Sequence, residues 1–122
     1  MSETTNVAPP LLVACLCAQW CRTCGDYRPV FDALGSAFGA RVELVWVDIE
    51  DDEAALGAVD VEDFPTLLLA RADQPLFFGA ITPHPATLTR LVQSALDGDL
   101  KTVAEAALAG LPRRLRALRQ SR

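Results

Sequence analysis

The chain has 122 residues, of which 51% are apolar and 22% charged, so it can bury a single core and a disordered chain is excluded. Sixteen acidic residues against eleven basic ones give a net charge of −5, which argues against a nucleic-acid partner held by phosphate contacts. The longest apolar run, of eight residues, is far below the roughly 20 that cross a bilayer, and no basic region precedes it as in a signal peptide. We expect a cytoplasmic protein with no transmembrane segment.

The first half of the chain predicts two strands joined by a helix. Residues 1–10 are polar and end in two prolines, so we expect an N-terminal arm. Leu11–Ala18 is an unbroken apolar run, which is typical of a strand covered on both faces. Apolar positions at spacings of three and four predict a helix over Cys21–Phe38, with a kink at Pro29. Val42–Ile49 is rich in β-branched and aromatic residues and predicts a second strand, parallel to the first because a helix connects them.

The second half predicts two more strands and further helices. Asp51–Gly57 reads as a short acidic helix. Thr66–Ala70 and Leu76–Gly79 predict an antiparallel hairpin with a turn of five or six residues. An amphipathic helix follows and closes at Gly98. This order of elements predicts an α/β fold with a mixed four-stranded sheet flanked by helices.

The C-terminal residues carry a separate charge pattern. Five of the eleven basic residues are arginines after position 112, whereas every acidic residue precedes it. The apolar stripe Leu111, Leu115, Leu118 predicts one or two amphipathic helices that dock on the domain itself; a membrane surface or an acidic partner are the alternatives. For the arginines, a solvated tail is the commonest arrangement. We therefore expect an arm over 1–10, a domain over 11–98 and a helical extension over 99–122.

The chemistry is carried by Cys21 and Cys24, which follow a buried strand and open a helix. Unpaired N–H groups and the positive end of the helix dipole favour a thiolate at this position. Cys21 is then the nucleophile that forms a mixed disulfide with a substrate, and Cys24 attacks the Cys21 sulfur to release the reduced product. The positive charge of Arg22, between the two cysteines, should favour the Cys21 thiolate further.

Several motifs at fixed spacing give the sequence its resemblance to the thioredoxin family. Trp20-Cys21-x-x-Cys24 follows the strand, Pro29 lies five residues beyond, Phe64-Pro65-Thr66 comes before a strand, and Gly79 ends the last one. The resemblance covers about residues 7–97 and implies a thioredoxin-like fold. It also implies a cis Pro65, with Phe64 offering backbone groups to a substrate strand and Trp20 lining the groove. The expected substrate-binding residues are Trp20, Arg22, Thr23, Phe64, Pro65 and Thr66.

The departures from the family pattern affect the chemistry. Cys15 stands where thioredoxins usually carry a buried aspartate, and Trp46 where a lysine is common. Without the acid, Cys24 lacks a proton acceptor and resolution should be slower. Arg22-Thr23 replaces the usual Gly-Pro, and the segment before Pro10 is too short for the family's first strand and helix. The acidic pair Glu62 and Asp63 flanks the expected groove and should favour substrates with basic segments.

The two remaining cysteines admit different explanations. Cys15 and Cys17 lie on one face of the first strand, where buried cysteine behaves as a small apolar residue, and core packing is the preferred interpretation. The alternative is that all four cysteines bind zinc or an iron–sulfur cluster. Metal knuckles lie in polar turns, whereas two of these cysteines lie inside an apolar strand, so we expect no metal.

The predicted function is that of a thiol–disulfide oxidoreductase, most simply a disulfide reductase, that works without a bound cofactor. Its substrates would be disulfide-containing proteins, and its electron donor a reductase or glutathione; a monomer is expected. The competing hypothesis is a redox-sensing peptide-binding or chaperone-like module that uses the same groove. A Cys21→Ser change separates the two, because only an enzyme would lose turnover.

Overall fold

A four-stranded mixed sheet forms the centre of the protein, and the computed structural model describes residues 9–82 and 84–122. Residues 1–8 of the expected arm lie outside the described residues. The strands are β1 (Leu11–Cys17), β2 (Val42–Asp48), β3 (Thr66–Arg71) and β4 (Gln74–Ala80). Their order is β2-β1-β3-β4, with β1 parallel to β2 and antiparallel to β3, and β3 antiparallel to β4. The predicted α/β class and mixed sheet are confirmed.

Among the described residues, five α-helices surround the sheet. They are α1 (Arg22–Asp32), α2 (Leu34–Phe38), α3 (Glu53–Leu56), α4 (Pro85–Leu96) and α5 (Leu111–Gln120). The single helix predicted over Cys21–Phe38 is divided at Ala33 into α1 and α2. Pro29 has no N–H to donate to the carbonyl one turn earlier, which weakens the helix in this region. None of the helices in the described part of the chain is long and apolar enough to span a membrane.

The hairpin of β3 and β4 is tighter than the sequence predicts. Arg71 pairs with Gln74, so only Ala72 and Asp73 form the turn instead of five or six residues. Ala72 has φ 53°, in the left-handed region that tight turns require. Pro75 was expected in the loop but lies in β4, where its missing N–H is tolerated because β4 is an edge strand.

Alternate residues of β1 build two separate cores, because side chains of a strand point alternately to opposite faces. Leu11, Val13, Cys15 and Cys17 belong to the core that includes the buried residues of α1, α2 and α4. The intervening residues belong to the core on the opposite face, together with those of α3 and α5. All seven β1 side chains are buried, as the continuous apolar run predicts. The cysteines therefore lie on one defined face of the sheet, beneath α1.

The C-terminal helix α5 is an integral part of the second core. Leu111 and Leu115 are fully buried there, and Leu118 packs against their cluster, which confirms docking on the domain itself. The arginines do not form the solvated tail expected of them. Arg116 lies 2.9 Å from Glu43, with both side chains only 19% exposed, and Arg122 lies 2.6 Å from Asp52. The docked helix brings these arginines to β2 and to the acidic loop after it.

Candidate active site

Cys21 lies at the junction between β1 and α1, where it is the N-cap residue of the helix. Its backbone is extended (φ −87°, ψ 114°), and its side chain makes no capping hydrogen bond. The backbone N–H of Cys21 donates to the Ala18 carbonyl at 3.0 Å, which fixes the turn. The thiol is free and partly exposed. Cys21 is thus an accessible thiol at a helix N-terminus, as the sequence predicts.

Cys24 is joined in a disulfide to Cys17, with 5.9 Å between the two Cα atoms. This pairing differs from the expected one between Cys21 and Cys24, and it corrects the interpretation of Cys17 as a free cysteine of the core. The reason is the direction of the two side chains. Cys17 is the last residue of β1 and Cys24 lies in the first turn of α1, and both side chains point into the core between the sheet and the helix. They are 1% and 2% exposed. The period of two along β1 was the signal in the sequence that placed Cys17 beneath this helix.

Cys15 remains a buried free thiol, in agreement with the core-packing interpretation. Its Sγ lies 3.7 Å from the Cys17 Sγ. Because the Cys17 sulfur is in a disulfide, the hydrogen of this contact belongs to Cys15. Burial raises the pKa of Cys15 to about 12, and the positive charge of Arg28 lowers it in part. Cys15 is therefore protonated at neutral pH and cannot replace a carboxylate as proton acceptor.

A shallow pocket of about 300 Å³ opens beside the cysteines. Cys21, Cys24, Arg28, Trp46 and Asp48 contribute to its walls. The Arg28 guanidinium lies over the Trp46 ring, 4.6 Å from its centroid. Sequence reasoning placed Trp46 at the family's lysine position but missed Arg28, which is four residues after Cys24 on the same face of α1. The spacing of four was the available signal, since such residues are neighbours on a helix.

The residues expected to line a substrate groove lie next to this junction. The Phe64-Pro65 peptide bond is cis, as the resemblance implied. Trp20 is 67% exposed and packs edge-on against Phe64, with 5.4 Å between the ring centroids. Thr66 opens β3 beside Leu16 of β1, which places the cis-proline close to the cysteines. The structure thus brings Trp20, Phe64, Pro65 and Thr66 to one edge of the site.

The remaining expected site residues lie on the surface around the groove. Arg22 and Thr23 are exposed in the first turn of α1, and Glu62 and Asp63 are exposed before the cis-proline.

For the metal alternative, no group of three or more His, Cys, Asp or Glu side chains suited to a metal ion is present among residues 9–82 and 84–122. Two of the four cysteine sulfurs are bonded to each other in this structure.

Sequence comparison places the chain within a known family. The thioredoxin family profile matches residues 3–93. Thioredoxin of Haemophilus influenzae is 35% identical over 57 residues, which are 47% of this chain and 53% of that protein. Thioredoxin of Bacillus subtilis is 28% identical over 70 residues, 57% of this chain and 67% of that one. The chain spans about half to two thirds of the length of these curated relatives.

Solved structures give the same fold. The germline-specific thioredoxin Deadhead of Drosophila melanogaster superposes with a TM-score of 0.64 at 20% identity, covering 70% of this chain and 81% of that one. A thioredoxin-2 of the malaria parasite gives 0.64 at 24% identity, covering 73% and 86%. On the match of its profile over residues 3–93, the chain belongs to the thioredoxin family.

Proposed function

We propose that this protein is a thiol–disulfide oxidoreductase whose nucleophile is Cys21. The observation that carries the proposal is the contrast between the cysteines: Cys21 is a free, partly exposed thiol at a helix N-terminus, whereas Cys24, one turn later, is buried. A reaction by disulfide exchange needs one thiol that a protein substrate can reach and a second that only the first can reach. Membership of the thioredoxin family supports the same chemistry.

The reaction proceeds in two exchanges. The Cys21 thiolate attacks one sulfur of the substrate disulfide, forming a mixed disulfide and releasing the other substrate sulfur as a thiolate. The Cys24 thiolate then attacks the Cys21 sulfur, and the second substrate sulfur leaves. The substrate gains two electrons and two protons, and the protein carries the disulfide. Cys15, protonated in the core, provides no base for Cys24, so the proton of Cys24 leaves through the pocket that Cys24 shares with Arg28 and the Asp48 carboxylate.

The surface around Trp20 is suited to a protein or peptide substrate. An exposed indole stacked edge-on against Phe64 offers an apolar contact surface next to Cys21. The exposed acids Glu62 and Asp63 border this surface and favour substrates with basic segments. Arg22 and Thr23, exposed beside Cys21, would contact the same substrate.

The setting of the reaction follows from its chemistry. In the reducing environment of the cytoplasm, where we place the protein, the reductase direction is favoured. A monomer would then be recharged by a flavoprotein reductase or by glutathione. A reductant must reach the oxidised protein through Cys21, because the other cysteines are buried.

A peptide-binding module that uses its cysteines only as a sensor is the second candidate function. The exposed Trp20, and Cys15 in place of the aspartate that thioredoxins usually carry, favour it. Such a module would hold a peptide in the groove without reducing it. Binding would then survive a change at Cys21.

The test is turnover of a protein disulfide such as that of insulin, with a chemical reductant as electron source. We expect Cys21→Ser to abolish turnover and Cys24→Ser to stop the reaction at the mixed disulfide. Cys15→Ser is the matched control, because this cysteine is buried and outside the exchange. Full turnover by Cys21→Ser would contradict the assignment of Cys21 as the nucleophile. Peptide binding that persists in Cys21→Ser, with no turnover by the wild type, would establish the module instead.

A further inference from the structure

The sulfurs of Cys17, Cys21 and Cys24 lie together where β1 ends and α1 begins, and only two of the three can be joined in a disulfide at one time. Cys24 can form only one disulfide at a time. In this structure its partner is Cys17, while Cys21 remains a thiol that shares the wall of one pocket with Cys24. The exchange with a substrate, in contrast, joins Cys24 to Cys21. The oxidised protein therefore has two alternative pairings that share Cys24.

The exposures of these cysteines define the order in which the pairings form. Cys17 and Cys24 are 1% and 2% exposed, so a protein disulfide cannot reach either sulfur. Cys21 is partly exposed and is the point of entry. A bond between Cys17 and Cys24 that forms from a protein substrate must then arise by exchange inside the protein.

We propose that Cys17 is a second resolving cysteine, which transfers the disulfide from Cys21–Cys24 to the buried Cys17–Cys24 pair and sets Cys21 free again. This step rests on the proposed function. The Cys17 thiolate attacks the Cys24 Sγ, the Cys21–Cys24 bond breaks, and Cys21 leaves as a thiolate. One disulfide forms as one breaks, so the step needs no oxidant. The proton lost by Cys17 is balanced by one that Cys21 can take up from solvent.

The surroundings of the sulfurs support this direction. The leaving Cys21 thiolate is generated at the N-terminus of α1, where the helix dipole stabilises negative charge. Cys17 is placed for the attack, because a distance of 5.9 Å between its Cα and that of Cys24 lets their sulfurs bond. Cys15 takes no part in the exchange: its sulfur lies 3.7 Å from the Cys17 sulfur and is not bonded to it.

The transfer has a functional consequence. After one turnover the oxidised protein still presents a free Cys21, which can bind a second substrate covalently. Cys24 cannot release that substrate until the internal disulfide is reduced. The protein would then be a reductase when reduced and a covalent trap for substrate disulfides when oxidised.

The experiment follows the pairing with time. Fully reduced wild-type protein is mixed with insulin, quenched in acid at intervals, alkylated, digested and mapped by peptide mass. We expect Cys21–Cys24 to appear first and Cys17–Cys24 to replace it, so that alkylation of Cys21 falls and then recovers. Cys17→Ser should stop at Cys21–Cys24, with alkylation of Cys21 at the end point at least about tenfold below wild type. Cys17→Ala repeats the test if serine disturbs the core.

Cys15→Ser is the matched control, since it changes a buried cysteine on the same face of β1 and should still complete the transfer. A wild-type end point of Cys21–Cys24 alone would overturn the proposal, as would formation of Cys17–Cys24 in Cys21→Ser at the wild-type rate. Insulin turnover on the same samples separates the two proposals. If insulin is turned over and the end point is Cys21–Cys24, only the proposal of a second resolving cysteine is refuted. If there is neither turnover nor a Cys21 adduct, the proposed enzyme activity is refuted.

Discussion

Replacing Leu115 by alanine tests whether α5 is part of the core of the domain. Leu115 is fully buried among apolar side chains of the sheet and α3, on the face opposite the cysteines. The change removes roughly three methylene equivalents at about 0.8 kcal/mol each, or about 2.4 kcal/mol in transfer free energy. The cavity left behind adds to this loss. We expect the free energy of unfolding to fall by about 3 kcal/mol.

Urea unfolding under excess reductant, followed by tryptophan fluorescence, measures this loss. Arg113→Ala is the matched control on the same helix. Arg113 contacts Asp73 at 2.7 Å, but the two side chains are 76% and 54% exposed, so the pair should contribute less than about 1 kcal/mol. If Leu115→Ala costs no more than Arg113→Ala, α5 is not packed as described and the second core is incomplete.

Three further predictions concern the groove, the buried thiol and the contact of α5 with α3. Trp20→Ala should lower insulin turnover at least about fivefold, mainly by raising KM. It should leave the unfolding free energy within about 0.5 kcal/mol of the wild-type value, because the indole is 67% exposed. Burial raises the pKa of Cys15 to about 12 from 9.0, so its contribution to stability is complete below pH 9 and is lost as the pH rises toward 12. Between pH 8 and pH 10.5 the wild type should lose about 2 kcal/mol more than Cys15→Ala in urea unfolding with a phosphine reductant; parallel pH curves would contradict this. Gly57→Ala should lower the free energy of unfolding by about 1–2 kcal/mol, because Gly57 has φ +59° and a Cβ would lie 2.8 Å from the Arg114 guanidinium. Gly25 lies inside a helix with open space around it, so Gly25→Ala should raise the free energy of unfolding by up to about 1 kcal/mol. Equal effects of the two alanines on the unfolding midpoint would refute this contrast.

The fold was predictable because its signals are local. The unbroken apolar run at Leu11 predicted an inner strand, and the helical connection to Val42 predicted parallel pairing. The hairpin turn was predicted too long because Pro75 and the polar residues before it resemble a loop. An edge strand tolerates such residues, and whether β4 lies at an edge depends on the whole sheet.

The places of the candidate site residues in the fold were predictable, but the pairing of the cysteines was not. The Trp20 junction and the cis-proline at Pro65 follow from motifs in the sequence. The bond between Cys17 and Cys24 depends on how α1 packs over the end of β1, because the two cysteines belong to different elements and meet only in the folded core. The placement of Arg28 over a tryptophan of β2 depends on the same packing.

The most direct test of the central claim is to capture Cys21 in the act of exchange. A variant with both Cys17→Ser and Cys24→Ser lacks Cys24, which resolves the mixed disulfide, and Cys17, which exchanges with Cys24. Incubated with a peptide that contains one intramolecular disulfide, it should form a one-to-one adduct that dithiothreitol releases, and peptide mass mapping should place the bond on Cys21. An adduct on Cys15, or no adduct while Cys21 remains open to alkylation, would contradict the assignment of Cys21 as the nucleophile.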